Sequence, residues 1–98
     1  METVPLHFED RHFWYDQVQR HGNHAIYTQT HKGSGTIRYE TAIIRVQPAR
    51  TWPNGDTTSE QEVYPSSGTW GKFGWTFYTL ADAQAHLTSL AERSTTHA

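Results

Sequence analysis

Hydrophobic and polar positions alternate along this chain with two different periods, and the change of period falls at Thr79. Phe73, Trp75 and Phe77 alternate with Gly74, Thr76 and Tyr78, the pattern of a strand with one buried face. From Leu80 onward, Leu80, Ala83, Leu87 and Leu90 recur at helical spacing, with Gln84, Thr88 and Glu92 on the other side. Thr79 can cap this helix through its hydroxyl, Asp82 suits its positive end, and Arg93 suits its negative end. The leucine stripe requires an apolar partner, and the aromatic face of the preceding strand is the nearest one. Burial of such side chains is worth about 1.5–3 kcal/mol each, so this strand and helix are expected to hold the core.

Upstream, residues 1–11 read as a flexible tail or a first edge segment. The runs 12–21 and 25–30 are rich in aromatic and β-branched residues and flank Gly22-Asn23, which predicts a tight hairpin. A short helix over residues 9–19 is the competing reading. Thr36 to Gln47 is the longest strand candidate, and its apolar side switches near Thr41-Ala42. That switch predicts either a bulge or a strand covered on both faces. Pro48 ends it. Residues 49–59 read as a polar loop around Asn54-Gly55, Glu60 to Tyr64 as a short strand, and Pro65 to Gly68 as another loop. Neighbouring strands usually pair. The expected fold is therefore α+β: a twisted antiparallel meander of four to five strands, covered on one face by a C-terminal helix, with residues 94–98 fraying.

Composition narrows the function without naming it. Ninety-eight residues suffice for one small domain, 35% hydrophobic and 13% aromatic, so aromatic rings are expected to carry a modest core. Eight basic against ten acidic residues give a charge of −2, and neither half of the chain is basic, which places nucleic acid behind protein as a partner. The chain has no cysteine, which excludes disulfides and thiolate metal sites. No apolar run reaches membrane-spanning length. The segment Met1-Glu2-Thr3-Val4-Pro5 lacks the basic and apolar regions of a secretory signal. A cytoplasmic location is the expectation.

Histidine is the one enriched residue type with catalytic potential. Seven are present, and His7, His12, His21, His24 and His31 fall early in the chain. His21-x-x-His24 has a metal-like spacing, but zinc needs three or four ligands, and no Asp or Glu is placed by sequence to complete the set. Ser34 lies in a Gly-Ser-Gly turn without the Gly-x-Ser-x-Gly elbow. Glu60 and Glu62 share a strand face and are read as solvated. No phosphate-binding glycine loop precedes a helix. No catalytic residue, metal or cofactor is therefore assigned, and the chain is read as a non-enzyme.

Trp70-Gly71-Lys72-Phe73-Gly74 resembles the Trp-Gly-Arg-x-Gly core of WGR domains, which occur in DNA-damage-responsive polymerases and bind nucleic-acid ends. The likeness covers a short part of the chain and rests on Trp70, Gly71 and Gly74. It implies a strand followed by a further strand and a helix. Lys72 stands where the family has arginine, so the bidentate phosphate contact would be lost.

The remaining features point to binding. Trp52 sits in the 49–59 stretch beside Arg50, and Trp and Arg dominate interface hot spots. Trp52 either folds back as a lid on the core or stands out as an anchor for a partner. Arg50, Trp52, Arg45 and Lys72 are the candidate partner-binding residues. The expected function is a non-enzymatic binding or accessory module acting through protein contacts, of the kind found among bacterial, plasmid or phage accessory proteins and inhibitors, with a homodimer through an exposed edge strand as one possible assembly. The alternative is a nucleic-acid binder that uses Arg38, Arg45, Arg50 and Lys72 with sheet aromatics.

Overall fold

A computed structural model describes residues 3–66, 68 and 70–95. Its centre is a five-stranded antiparallel sheet in the order β1-β2-β3-β4-β9: β1 is His7–Asp10, β2 Phe13–His21, β3 His24–His31, β4 Ile37–Ile43 and β9 Gly74–Phe77. Helix α1, Leu80–Thr95, packs on one face against β3, β4 and β9. The architecture is the expected α+β arrangement. Phe13–His21 is strand rather than helix, and the chain turns at Gly22-Asn23, where His21 pairs with His24. Gly22 has φ 60, which a side chain would resist and a two-residue hairpin turn requires.

The helix forms as its pattern dictates. The Asp82 backbone N–H donates to the Thr79 hydroxyl at 3.2 Å, and Ala83, Leu87 and Leu90 are buried. The buried Thr41 hydroxyl donates to the Ala83 carbonyl at 2.9 Å and pins the helix to the middle of β4. Ser94 and Thr95, expected to fray, lie within the helix; residues 96–98 fall outside the described residues.

Two expectations are corrected, and two open alternatives are resolved. First, the core is centred on β3, not on the last strand. Ala25, Ile26 and Tyr27 are fully buried, whereas Trp75 and Phe77 are half-buried, because β9 is an edge strand paired only with β4. Second, of the two readings of residues 1–11, the described part, residues 3–11, follows the edge segment and not the tail. His7–Asp10 is edge strand β1, Val4 is buried, and the Tyr27 hydroxyl donates to the Pro5 carbonyl at 2.9 Å. Third, of the two readings of the apolar switch at Thr41-Ala42, the strand covered on both faces holds and the bulge does not; the sheet's register shift lies in β2, between Gln17 and Gln19. The apolar switch in β4 instead reflects cover on both sides, since Glu40, Thr41 and Ala42 are all buried.

Fourth, the Glu60–Tyr64 segment does not join the main sheet. Its strand β8, Gln61–Val63, pairs with β5, Arg45–Gln47. Beyond it, β6, Arg50–Thr51, pairs with β7, Thr57–Thr58. Residues 45–63 thus form one long hairpin arm, not strand, loop and strand. The pairing lapses at Pro48, which has no N–H to give the ladder. The chain then returns to the sheet, and β9 lies beside β4. The radius of gyration is 15.0 Å, above the roughly 13 Å of a compact domain of this size.

Both sheet edges, β1 and β9, are four residues long. The β1 edge carries His7, Glu9 and Asp10. Short, charged edges are poor templates for strand addition. No helix among the described residues is long and apolar enough to cross a membrane.

Candidate functional site

The sheet face away from the helix carries an aromatic cluster and a groove. Strand register sets Phe8, Tyr15, Gln29 and Arg38 in one row across β1 to β4, and Gln17, Tyr27, Glu40 and Thr76 in the next row from β2 to β9. Tyr64, arriving from the base of the arm, lays its ring against Tyr27 at 5.1 Å and Phe8 at 5.3 Å. Its hydroxyl donates to Glu40 Oε1 at 2.8 Å. The Thr76 side chain hydrogen-bonds Glu40 as well, and Thr76 Oγ1 accepts from Trp70 Nε1 at 2.9 Å. Trp70, Thr76, Glu40 and Tyr64 therefore form a continuous polar chain under the groove.

Glu40 is 3% exposed. Burial raises its pKa from 4.5 to about 7, against the opposing pull of the Tyr64 and Thr76 hydrogen bonds. Burial, followed by the Glu40 charge, raises the Tyr64 phenol far above its ordinary value, and burial also raises Tyr15 and Tyr27. Such a carboxyl exchanges its proton near neutrality, a property common at functional sites. Here its carboxyl is held under the groove by the Tyr64 and Thr76 hydrogen bonds.

The groove encloses about 950 Å³. Its floor includes Tyr15, Gln29 and Arg38, and its walls come from residues 64–66, Trp70 and the Arg11-His12 turn. Trp70 takes its place because of two glycines. Gly71 has φ 87, and a Cβ on Gly74 would lie 2.4 Å from the Trp70 ring. In the segment that resembles WGR domains, Trp70 and Gly74 thus meet as an indole folded onto backbone that must be bare.

The four residues singled out from sequence fall into two clusters. Arg50 lies 4.7 Å over the Trp52 ring at the tip of the arm. Arg45 and Lys72 both lie over Phe73, at 4.2 and 5.4 Å. The fourth cation of the nucleic-acid alternative, Arg38, lies apart over Tyr78. The four cations are thus distributed over three separate rings.

Trp52 is 43% exposed and is not a lid. Its indole N–H donates to Thr58 Oγ1 at 2.9 Å. The turn below it is closed by Trp52 N–H to Asp56 O and by Gly55 N–H to Trp52 O, and the Asn54 and Asp56 side chains brace it. The base of the arm is tied down separately. Arg20 donates to both Glu62 oxygens at 2.8 and 2.7 Å, and the Val4 N–H donates to Glu62 as well. Glu62, expected to be solvated, is thus a structural anchor. The Arg20 hydrogen bond holds its pKa below the usual value.

Among the remaining sequence candidates, Ser34 and His31 are engaged in local structure. Ser34 Oγ lies 3.2 Å from His31 Nδ1, but that nitrogen accepts the Gly33 and Ser34 N–H groups, and the hydroxyl donates to Thr36. The lone pair a general base would need is committed to the turn. Among the described residues, no three His, Asp or Glu side chains are grouped to hold a metal ion. The His24 pKa is lowered by burial and then by His21. A group lowered in this way contributes stability that is present above its unfolded value of 6.5 and is lost as pH falls, because the unfolded chain then binds the proton more readily. Chemical melts across that range should therefore show a smaller acid loss for His24→Gln than for the parent.

Glu40 and Tyr64 were invisible as a site from sequence. They are 24 positions apart, and nothing local links them. The one available signal was the apolar switch at Thr41-Ala42, which marks β4 as covered on both sides.

No family model matches the chain, and neither a curated protein nor a solved structure matches it.

Proposed function

We propose that the protein is a non-enzymatic binding module that engages a protein partner through the tip of the β5–β8 arm. The observation that carries this reading is the state of Trp52. A large indole stands exposed at the end of an arm, oriented by its N–H bond to Thr58 and stacked by Arg50. A pre-oriented Trp–Arg pair loses little conformational entropy on docking, which favours it as a hot spot. The matching surface is an apolar pocket for the indole with carboxylates at its rim for Arg50.

Two features support the protein reading over the nucleic-acid alternative. The four cations are split among three rings, and Lys72 and Arg45 are engaged with Phe73. A phosphate-tracking surface needs its cations on one path.

The test is affinity capture with the full chain from its native host, run in parallel with Trp52→Ala and Arg50→Ala. A protein held by the parent should be lost with Trp52→Ala, with affinity falling by more than about 1 kcal/mol, and weakened with Arg50→Ala. Equal capture by all three would overturn the assignment of the arm tip. Capture of nucleic acid whose affinity falls steeply with salt would favour the alternative.

A further inference from the structure

We infer that the groove on the open sheet face is a binding site for a small aromatic anion, a planar ring bearing a carboxylate, which seats its ring among the groove aromatics and its charge on Arg38. The site is separate from the arm tip and does not depend on it.

Size is the first support. About 950 Å³ is within the range of small-molecule sites, roughly 300–1,000 Å³. Charge is the second. Arg38 lies on the groove floor, and Arg11 lies on the rim. Among the described residues, neither has a carboxylate within ion-pair distance. Of the two acids lining the groove, Glu40 is buried under its Tyr64 and Thr76 bonds, and only Asp10 is exposed. The accessible charge is therefore mainly guanidinium, which suits the planar fork of a carboxylate.

Ring surface is the third support. Tyr78 is 79% exposed and lies under the Arg38 guanidinium at 5.4 Å, and Trp70 stands exposed in the wall. Exposed aromatics beside a guanidinium that has no carboxylate within ion-pair distance offer a ligand both stacking and charge in one place. Backbone conformation is the fourth. Arg11 is the one non-glycine residue among those described with a positive φ, at 56, a strained state for a side chain at a tight turn. It sets Arg11 on the rim. Finally, the floor is fixed in advance: Gln29 Nε2 donates to the Tyr15 hydroxyl at 3.0 Å, and the Tyr64–Glu40–Thr76–Trp70 chain runs beside it. A preformed floor limits the ordering cost of binding.

The test is an amide NMR titration of the full chain with indole-3-acetate and, separately, with tryptamine, which carries the same ring with an ammonium group. Indole-3-acetate should give saturable shifts at Phe13, Gln29, Arg38 and Tyr78, and tryptamine should bind about tenfold more weakly, the worth of one charge-assisted contact. Arg38→Ala should remove that preference and Arg38→Lys should restore part of it, while Arg50→Ala at the arm tip should change neither ligand's binding. Tyr78→Ala, at an exposed position, should weaken both ligands and guards against a folding defect in the Arg38 variants. Equal or tighter binding of tryptamine would overturn the inference, as would the absence of saturable shifts in the groove. So would oligothymidylate binding in the same groove more tightly than indole-3-acetate.

Discussion

Tyr27→Ala is expected to destabilise the protein by about 3–5 kcal/mol, the range for deleting a large buried ring. Tyr27 is fully buried in the central strand. Its ring meets Phe8 at 5.6 Å and Tyr64 at 5.1 Å. Its hydroxyl accepts from Gln17 Nε2 at 3.1 Å and donates to the Pro5 carbonyl at 2.9 Å. The substitution therefore opens a cavity and also releases the N-terminal segment and the Tyr64 root of the arm. Tyr27→Phe keeps the ring and isolates the polar part, which should cost about 1–3 kcal/mol for the groups left without a partner. Leu87→Ala, on the helix side, should cost about 2–5 kcal/mol. Trp75→Ala should cost less than Tyr27→Ala, because Trp75 is half-buried on an edge strand, where it rests on His86 at 4.4 Å. Urea melts of the four variants rank these effects directly.

The second large effect is on pH. Burial raises the Glu40 carboxyl from 4.5 to about 7. A raised folded-state value means that the native protein holds a proton the unfolded chain has released. Stability from this group is fully present below about 4.5, falls as pH rises, and is gone above about 7. Integrated over that window, the loss is about 3 kcal/mol. Tyr64 and Tyr27 face Glu40 and stay protonated throughout, since their own values are raised. Glu40→Gln can still accept from Tyr64 but cannot ionise. It should flatten the Glu40 part of the profile and be more stable than the parent at pH 8. The opposing contribution of His24 is common to both proteins and cancels in the difference. A parent and variant whose stabilities differ by a constant amount between pH 4.5 and 8 would show that Glu40 does not titrate as described.

What could be read from sequence was local. The cap and stripe of Thr79, Leu80, Ala83, Leu87 and Leu90 repeat every turn, and Gly22-Asn23 marks a turn by its own backbone requirement. Both therefore survive without knowledge of the partner surfaces. The arm was not legible, because β6 and β7 have two residues each, Arg-Thr against Thr-Thr, and show no apolar alternation. Pro48, Pro53 and Asn54-Gly55 made the same stretch read as loop. The place of β9 beside β4 was hidden for a related reason: the arm intervenes, and chain order no longer equals sheet order. Among the candidate residues, the Arg50–Trp52 pair was visible as neighbours in sequence. The Glu40–Tyr64 pair and the Arg20–Glu62 anchor depend on contacts between distant segments. A buried glutamate between Tyr39 and Thr41 has the same local pattern as an exposed one.

Division of labour between a folded sheet and a projecting arm is most directly tested by the stability of Trp52→Ala, measured by urea melt beside the parent. Trp52 touches Arg50 and Thr58 at the arm tip and is excluded from both core clusters. The variant should match the parent within about 0.5 kcal/mol, as surface substitutions do, while losing the partner. A loss of about 2 kcal/mol or more, on the scale of a buried side chain, with the partner still bound, would contradict it and make Trp52 part of the core.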